Sequence, residues 1–128
     1  VLGVPGDDET SRGAVYILKG RKNGLNDTFR ANGFRKKYGT KVIGISDANV
    51  ASQFGKRITA IGDVNGDDID DILVTAIATD EYDSYAYVIY GRSGPWTKKI
   101  VVDDLDSDDG FSIFETEYEC GGGDFNGD

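Results

Sequence analysis

Apolar positions along the chain fall in short runs separated by Gly, Asp, Asn and Ser. Eight runs rich in β-branched and aromatic residues stand out: Val1–Val4, Ala14–Leu18, Lys41–Ile45, Arg57–Ile61, Ile72–Ala76, Tyr85–Tyr90, Lys99–Val102 and Phe111–Phe114. Side chains of a strand point alternately to its two faces, and runs of this length bounded by turn residues are expected to be strands. No stretch places apolar residues at i, i+3 and i+4 over three turns, so little or no helix is expected beyond a single turn within Asp47–Gln53. The pattern predicts an all-β chain.

The strands recur. Val1–Ala14 aligns without a gap on Leu73–Ala86 at a constant offset of 72 residues, which sets Leu2 on Val74, Asp8 on Asp80, Glu9 on Glu81, Ala14 on Ala86 and, further on, Ile17 on Ile89. Gly62-Asp63-Val64-Asn65-Gly66-Asp67 matches Gly123-Asp124-Phe125-Asn126-Gly127-Asp128 at an offset of 61, with five of six residues identical. A strand-rich unit of about 60–70 residues is a period typical of propellers, solenoids and arrays. The chain is expected to be cut out of phase with its repeat, beginning after one acidic loop and ending inside another.

The acidic loop carries the clearest chemistry. Asp63, Asn65, Asp67 and Asp71 stand at positions 1, 3, 5 and 9 of a nine-residue segment. Alternate oxygens in a tight loop converge on one point, and Ca2+ takes six to eight oxygen ligands. Three carboxylates held that close repel one another unless an ion compensates them. By analogy with the helix-flanked calcium loop, the carbonyl of Ile69 at position 7 is the expected backbone ligand. Here the flanks read as strands, so a calcium loop at a strand–strand turn is expected. The competing reading is an ordinary hairpin, since Asn-Gly is a strong hairpin signal and Asp is common in turns. That reading does not account for carboxylates at positions 1, 5 and 9. Position 6, usually Gly, is Asp68, a residue type that tolerates positive φ better than most. Asp124, Asn126 and Asp128 supply positions 1, 3 and 5 of a second loop whose position 9 lies outside the sequence. A third cluster, Asp104, Asp106, Asp108 and Glu115, fits positions 1, 3, 5 and 12 of the helix-type loop, but Gly110 falls at position 7 instead of 6, and a solvated turn is expected there.

These residues resemble the FG-GAP repeats of the integrin α-subunit β-propeller and its microbial relatives. The matching pieces are Phe54-Gly55, the loop from Gly62 to Asp71 and the following Ile72-Leu73-Val74, with Gly3-Val4-Pro5 as a close counterpart of the "GAP" segment and Thr75-Ala76-Ile77 as a poor one. Gly13-Ala14-Val15-Tyr16 and Tyr85–Gly91 match the later strand, and Asp109-Gly110-Phe111 resembles the strand that closes a blade in microbial members. The resemblance covers nearly the whole chain outside the segment 19–41. It implies four-stranded antiparallel blades of a β-propeller, about two of them, which cannot close a ring alone. Residues 1–53 would be a partial first blade with a basic insertion at 19–41, 54–117 a second blade with the complete calcium loop, and 118–128 the start of a third repeat. The chain is then part of a longer propeller, or a unit of a tandem array or fibre. Asp128 and Val1 could be joined by about five further residues, so adjacent repeats or copies of itself would be partners.

Composition narrows the function. The 128 residues carry 23 Asp+Glu against 14 Lys+Arg, a formal charge of −9, with no His, no Met and one Cys. Zinc-finger, Cys–His and Ser–His–Asp chemistry lack their parts. An acidic chain is a poor general ligand for nucleic acid, and no apolar run is long enough for membrane insertion by a helix. Charge is uneven. Lys19, Arg21, Lys22, Arg30, Arg35, Lys36, Lys37 and Lys41 surround Asp27 alone, so that segment is +7 and the remainder −16. Contacts between copies, a polyanionic partner or a solvated loop would each account for it.

The expected function is a calcium-binding structural or adhesive module at the cell surface, where millimolar Ca2+ fills loops of this kind. Its extracellular protein or glycan ligand would meet the acidic loops Gly6–Arg12 and Thr79–Ser84. Tyr82, Tyr85, Tyr87, Tyr90 and Trp96 would either form a recognition surface or pack between sheets. A lectin-like propeller module or a non-catalytic accessory domain of a secreted enzyme is the alternative, although no aromatic residue recurs at one place in each unit. A catalytic role is not expected, since the repeated metal loops already occupy the carboxylates. Asn26-Asp27-Thr28 is a glycosylation triplet. Cys120 reads as a buried small hydrophobe, an inter-copy disulfide or a free thiol.

Overall fold

The computed structural model describes residues 1–6, 12–20, 22, 34–45, 53–77, 84–94, 96 and 99–114. Among these residues eight strands form: β1 (Leu2–Val4), β2 (Ala14–Leu18), β3 (Gly39–Ile43), β4 (Arg57–Gly62), β5 (Asp71–Ile77), β6 (Ser84–Ile89), β7 (Ile100–Val101) and β8 (Gly110–Ile113). Two single 3-10 turns, Lys36–Tyr38 and Val102–Asp104, are the helical elements among the described residues. None of these is long and apolar enough to cross a membrane. The strands make two four-stranded sheets, ordered β1-β2-β3-β7 and β4-β5-β6-β8. The expected all-β architecture is present.

Two strands differ from the expectation. β3 begins two residues early, at Gly39, because it pairs along the whole of β2, from Leu18↔Gly39 to Ala14↔Ile43. The run Lys99–Val102, expected as part of the second unit, contributes Ile100–Val101 to the first sheet, parallel to β3 through Val42↔Ile100 and Ile43↔Val101. The first sheet is therefore not wholly antiparallel. Ile100 and Val102 bury their side chains in the core that the two sheets share, and that burial draws the segment across.

Register also corrects the repeat. Leu2 pairs with Tyr16 in the first sheet, and Val74 pairs with Tyr87 in the second. The offset is thus 72 at β1 and β5 but 71 at β2 and β6. Gly13–Gly20 aligns with Ser84–Gly91, which sets Tyr16 on Tyr87 and Gly20 on Gly91. The ungapped match of Ala14 to Ala86 and Ile17 to Ile89 is one residue out, since the loop after β1 is a residue longer than that after β5. A slip of one residue exchanges the two faces of a strand. Val15, whose side chain enters the shared core, is therefore equivalent to Ala86, while Tyr87 and Ile89 face that core from the second sheet. The face that the first sheet turns toward the second corresponds to the face that the second turns away. The sheets stack head to tail, as successive members of a repeat do.

The core is built from Val15, Val42 and Ile100 of the first sheet and Val74, Ala76, Tyr87 and Ile89 of the second, closed by Phe54 and Val102. Phe54 is completely buried, with its ring edge-on to Tyr87 at 5.6 Å. Its backbone bridges Gly13 at the start of β2, and the Gly55 amide donates to the Thr75 carbonyl at 3.0 Å. The Phe54-Gly55 pair thus ties one sheet to the other. Truncating Phe54 to Ala should remove about 3–5 kcal/mol of unfolding free energy, read as a lower urea midpoint with an unchanged slope.

Candidate functional site

The segment 63–70 leads from β4 to β5, whose register shifts between Ala60 and Gly62. Its path turns on two left-handed residues, Gly66 at φ 80 and Asp68 at φ 63. Asp68 is the one non-glycine residue with positive φ among the described residues. It occupies the position where glycine was expected, and its short polar side chain accepts that conformation at modest cost.

Side-chain oxygens organise the loop from within. Asp63 Oδ1 accepts the amides of Gly66 at 2.7 Å and Asp67 at 3.1 Å, and its Oδ2 accepts that of Asp68 at 2.7 Å. Asn65 Oδ1 accepts the amide of Asp67 at 3.1 Å, and Asp67 Oδ1 accepts that of Ile69 at 3.0 Å. Asp63, Asn65 and Asp67 are exposed, whereas Asp71 is completely buried. Asp71 Oδ2 accepts the amide of Val64 at 2.9 Å, and its Oδ1 accepts that of Gly91 at 2.7 Å. Gly91 is required for the second contact, because a Cβ there would lie 2.4 Å from the Asp70 carbonyl oxygen. For Asp63, partial loss of solvent raises the carboxyl pKa, and the amides of Asp68, Asp67, Gly66 and Asn65 together outweigh it and hold it below the ordinary 3.8.

Asp63, Asn65, Asp67 and Ile69 stand on the loop between β4 and β5, and Asp71 opens β5. Their donor atoms are all oxygen, the ligand type of a hard cation, and each carboxylate oxygen that accepts one amide keeps a further lone pair. The donor set therefore fits Ca2+ in kind. The carboxylates are turned to backbone amides, and among the described residues no three acidic side chains gather into a ready cage. Asp124, Asn126 and Asp128 lie outside the described residues, as do Cys120, Asn26, Tyr82 and Glu115.

The third acidic cluster forms a turn into β8. Asp106 Oδ1 accepts the amides of Asp108 at 3.0 Å and Asp109 at 3.1 Å. Asp109 is buried and receives Arg92 Nη2 at 2.7 Å, while the same nitrogen reaches the Asp108 carbonyl at 3.1 Å. The Arg92 guanidinium lies over the Trp96 ring at 4.5 Å. Sequence reasoning missed this clamp. The available signal was that Arg92 is the one basic residue between Arg57 and Lys98 and precedes Trp96 by four positions. Other rings are used in packing: Tyr87 in the core, Tyr85 against Phe114 at 5.7 Å, and Tyr90 against Phe111 at 6.2 Å.

No family model, curated protein or solved structure matches the chain.

Replacing Asp71 by Ala should cost about 2–4 kcal/mol, because two amides lose their acceptor. Asp106→Ala, in an exposed turn, should cost about 1 kcal/mol or less. Urea denaturation in EGTA separates the two. The Asp63 contribution should be complete above pH 3.8 and disappear as pH falls through its lower folded value, so Asp63→Asn should flatten the acid limb of stability against pH.

Proposed function

We propose that this chain is a calcium-stabilised structural or adhesive repeat module of extracellular or cell-surface proteins, built from propeller blades of the FG-GAP type. The observation that carries the proposal is the unbalanced charge of Asp71. A buried carboxylate normally has a cationic partner. Asp109, buried to a similar degree, has Arg92. Asp71 has two amides and, among the described residues, no basic partner. Asp63 and Asp67 stand on the same loop and add to the uncompensated charge. A divalent cation held by Asp63, Asn65, Asp67, the Ile69 carbonyl and Asp71 would supply the missing positive charge, fix the β4–β5 turn and couple ion binding to folding.

The head-to-tail relation of the sheets supports the repeat reading. Phe111 and Ile113 on β8 stay 44% and 39% exposed on the face that the second sheet turns away from the first, where a following repeat or copy would sit. The chain's partners would then be its own neighbours, in a larger propeller, an array or a fibre, and a protein or glycan met through surface loops.

In millimolar Ca2+ the chain should melt about 5–10 °C higher than in EGTA, since saturating a weak extracellular-type site adds about 2 kcal/mol. Asp63→Ala should abolish most of that difference and Asp106→Ala should preserve it. Equal melts of the parent chain in calcium and in EGTA would overturn the calcium reading. The array or fibre should appear in sedimentation velocity as association that grows with concentration and weakens in Phe111→Asp.

A further inference from the structure

A half-open cleft of about 450 Å³ lies between the equivalent ends of β2 and β6, lined on one side by Ile17 to Gly20 and on the other by Arg92, Ser93, Gly94 and Trp96. The volume suits a small organic ligand. Among the described residues, no acidic one lines the cleft. Its polar side chains among the described residues are Lys19, Arg92 and Ser93, so the cleft offers charged donors. Lys19 is exposed and, among the described residues, its ammonium has no ion-pair partner. Arg92 is held by Asp109 and by the Trp96 ring, so its guanidinium is positioned in advance. Its Nε is buried without a hydrogen-bond partner, whereas the side chain as a whole keeps 27% of its surface exposed. Ile17 and Trp96 supply apolar wall for the body of a ligand.

We infer that this cleft binds a small carboxylate-bearing molecule, with the carboxylate taken by Lys19 and Arg92 and the body resting against Trp96. Arg forks and Lys ammonium groups form charge-assisted hydrogen bonds with carboxylates, and an aromatic plate beside them accommodates either a sugar ring or an aliphatic chain. The site is separate from the β4–β5 loop and does not depend on the calcium proposal.

The test is a titration of the nitrogen-15-labelled full chain, followed by NMR at constant ionic strength and with calcium in excess so that the added acid cannot strip it. The probes are sodium glucuronate, sodium glutarate and glucose. Saturable shifts at the Gly20, Ser93 and Gly94 amides and the Trp96 indole are expected with at least one of the acids and not with glucose. Glucuronate alone would identify an acidic sugar, and glutarate as well would identify the carboxylate with any short chain. Lys19→Glu should weaken binding by about tenfold or more through loss of one charge-assisted contact, with an unchanged melting temperature, and Lys19→Arg should retain it. No saturable shift with either acid, equal shifts with glucose, or parent-like binding by Lys19→Glu would each overturn the inference.

Discussion

The buried carboxylate of Asp71 holds the second sheet together at one end. It is the first residue of β5, and its two oxygens reach in different directions, one back to the Val64 amide in the preceding loop and one across to the Gly91 amide just past β6. The loop between β4 and β5 is thereby fastened to the third strand of its own sheet. The next residue along, Arg92, pairs with Asp109 immediately before β8. Two consecutive residues, Gly91 and Arg92, thus receive the two buried acids of the sheet. Both acid-bearing turns are thus fastened to one short stretch of chain, Gly91 by its amide and Arg92 by its side chain.

The same sheet is tied to its neighbour by Phe54-Gly55. The ring fills the shared core, and the backbone bonds toward both sheets. Since equivalent strands present opposite faces to this contact, the packing uses each face once and can in principle continue. A two-fold sandwich would use the same face twice and be complete with two sheets. On the face turned away from the first sheet, Ala86, Val88 and Thr75 are already buried within the chain, and Phe111 and Ile113 stay partly exposed.

Much of this was legible in the sequence. Short β-branched and aromatic runs between Gly and Asp located every strand, because strand propensity and turn chemistry are local. Parts that depend on distant partners were not legible. The spacing of Asp63, Asn65, Asp67 and Asp71 placed them on one loop, but nothing local marks Asp71 as buried against an amide 20 residues away. Ala14 with Ala86 and Ile17 with Ile89 are good chemical matches, so the one-residue difference in loop length was hidden until pairing showed it. The parallel pairing of Ile100–Val101 with β3 rests on two residue pairs and on core burial, neither of which leaves a periodic signal.

The two acidic turns are capped alike and differ in what meets the buried acid behind each. Asp63 and Asp106 both accept successive backbone amides, the ordinary work of Asp in a turn. On that criterion alone the loops are alike, and counting acids would rank them equally. The difference lies one step behind each turn. Behind Asp106 stands Asp109, whose charge is met by a guanidinium stacked on Trp96. Behind Asp63 stands Asp71, whose charge is met by amide dipoles. Amides satisfy the lone pairs of a buried carboxylate but bring no opposite full charge to it. The turn at Asp106 already has its counter-charge within the fold. The turn ahead of Asp71 has its hydrogen bonds within the fold and, among the described residues, no basic side chain against its buried acid.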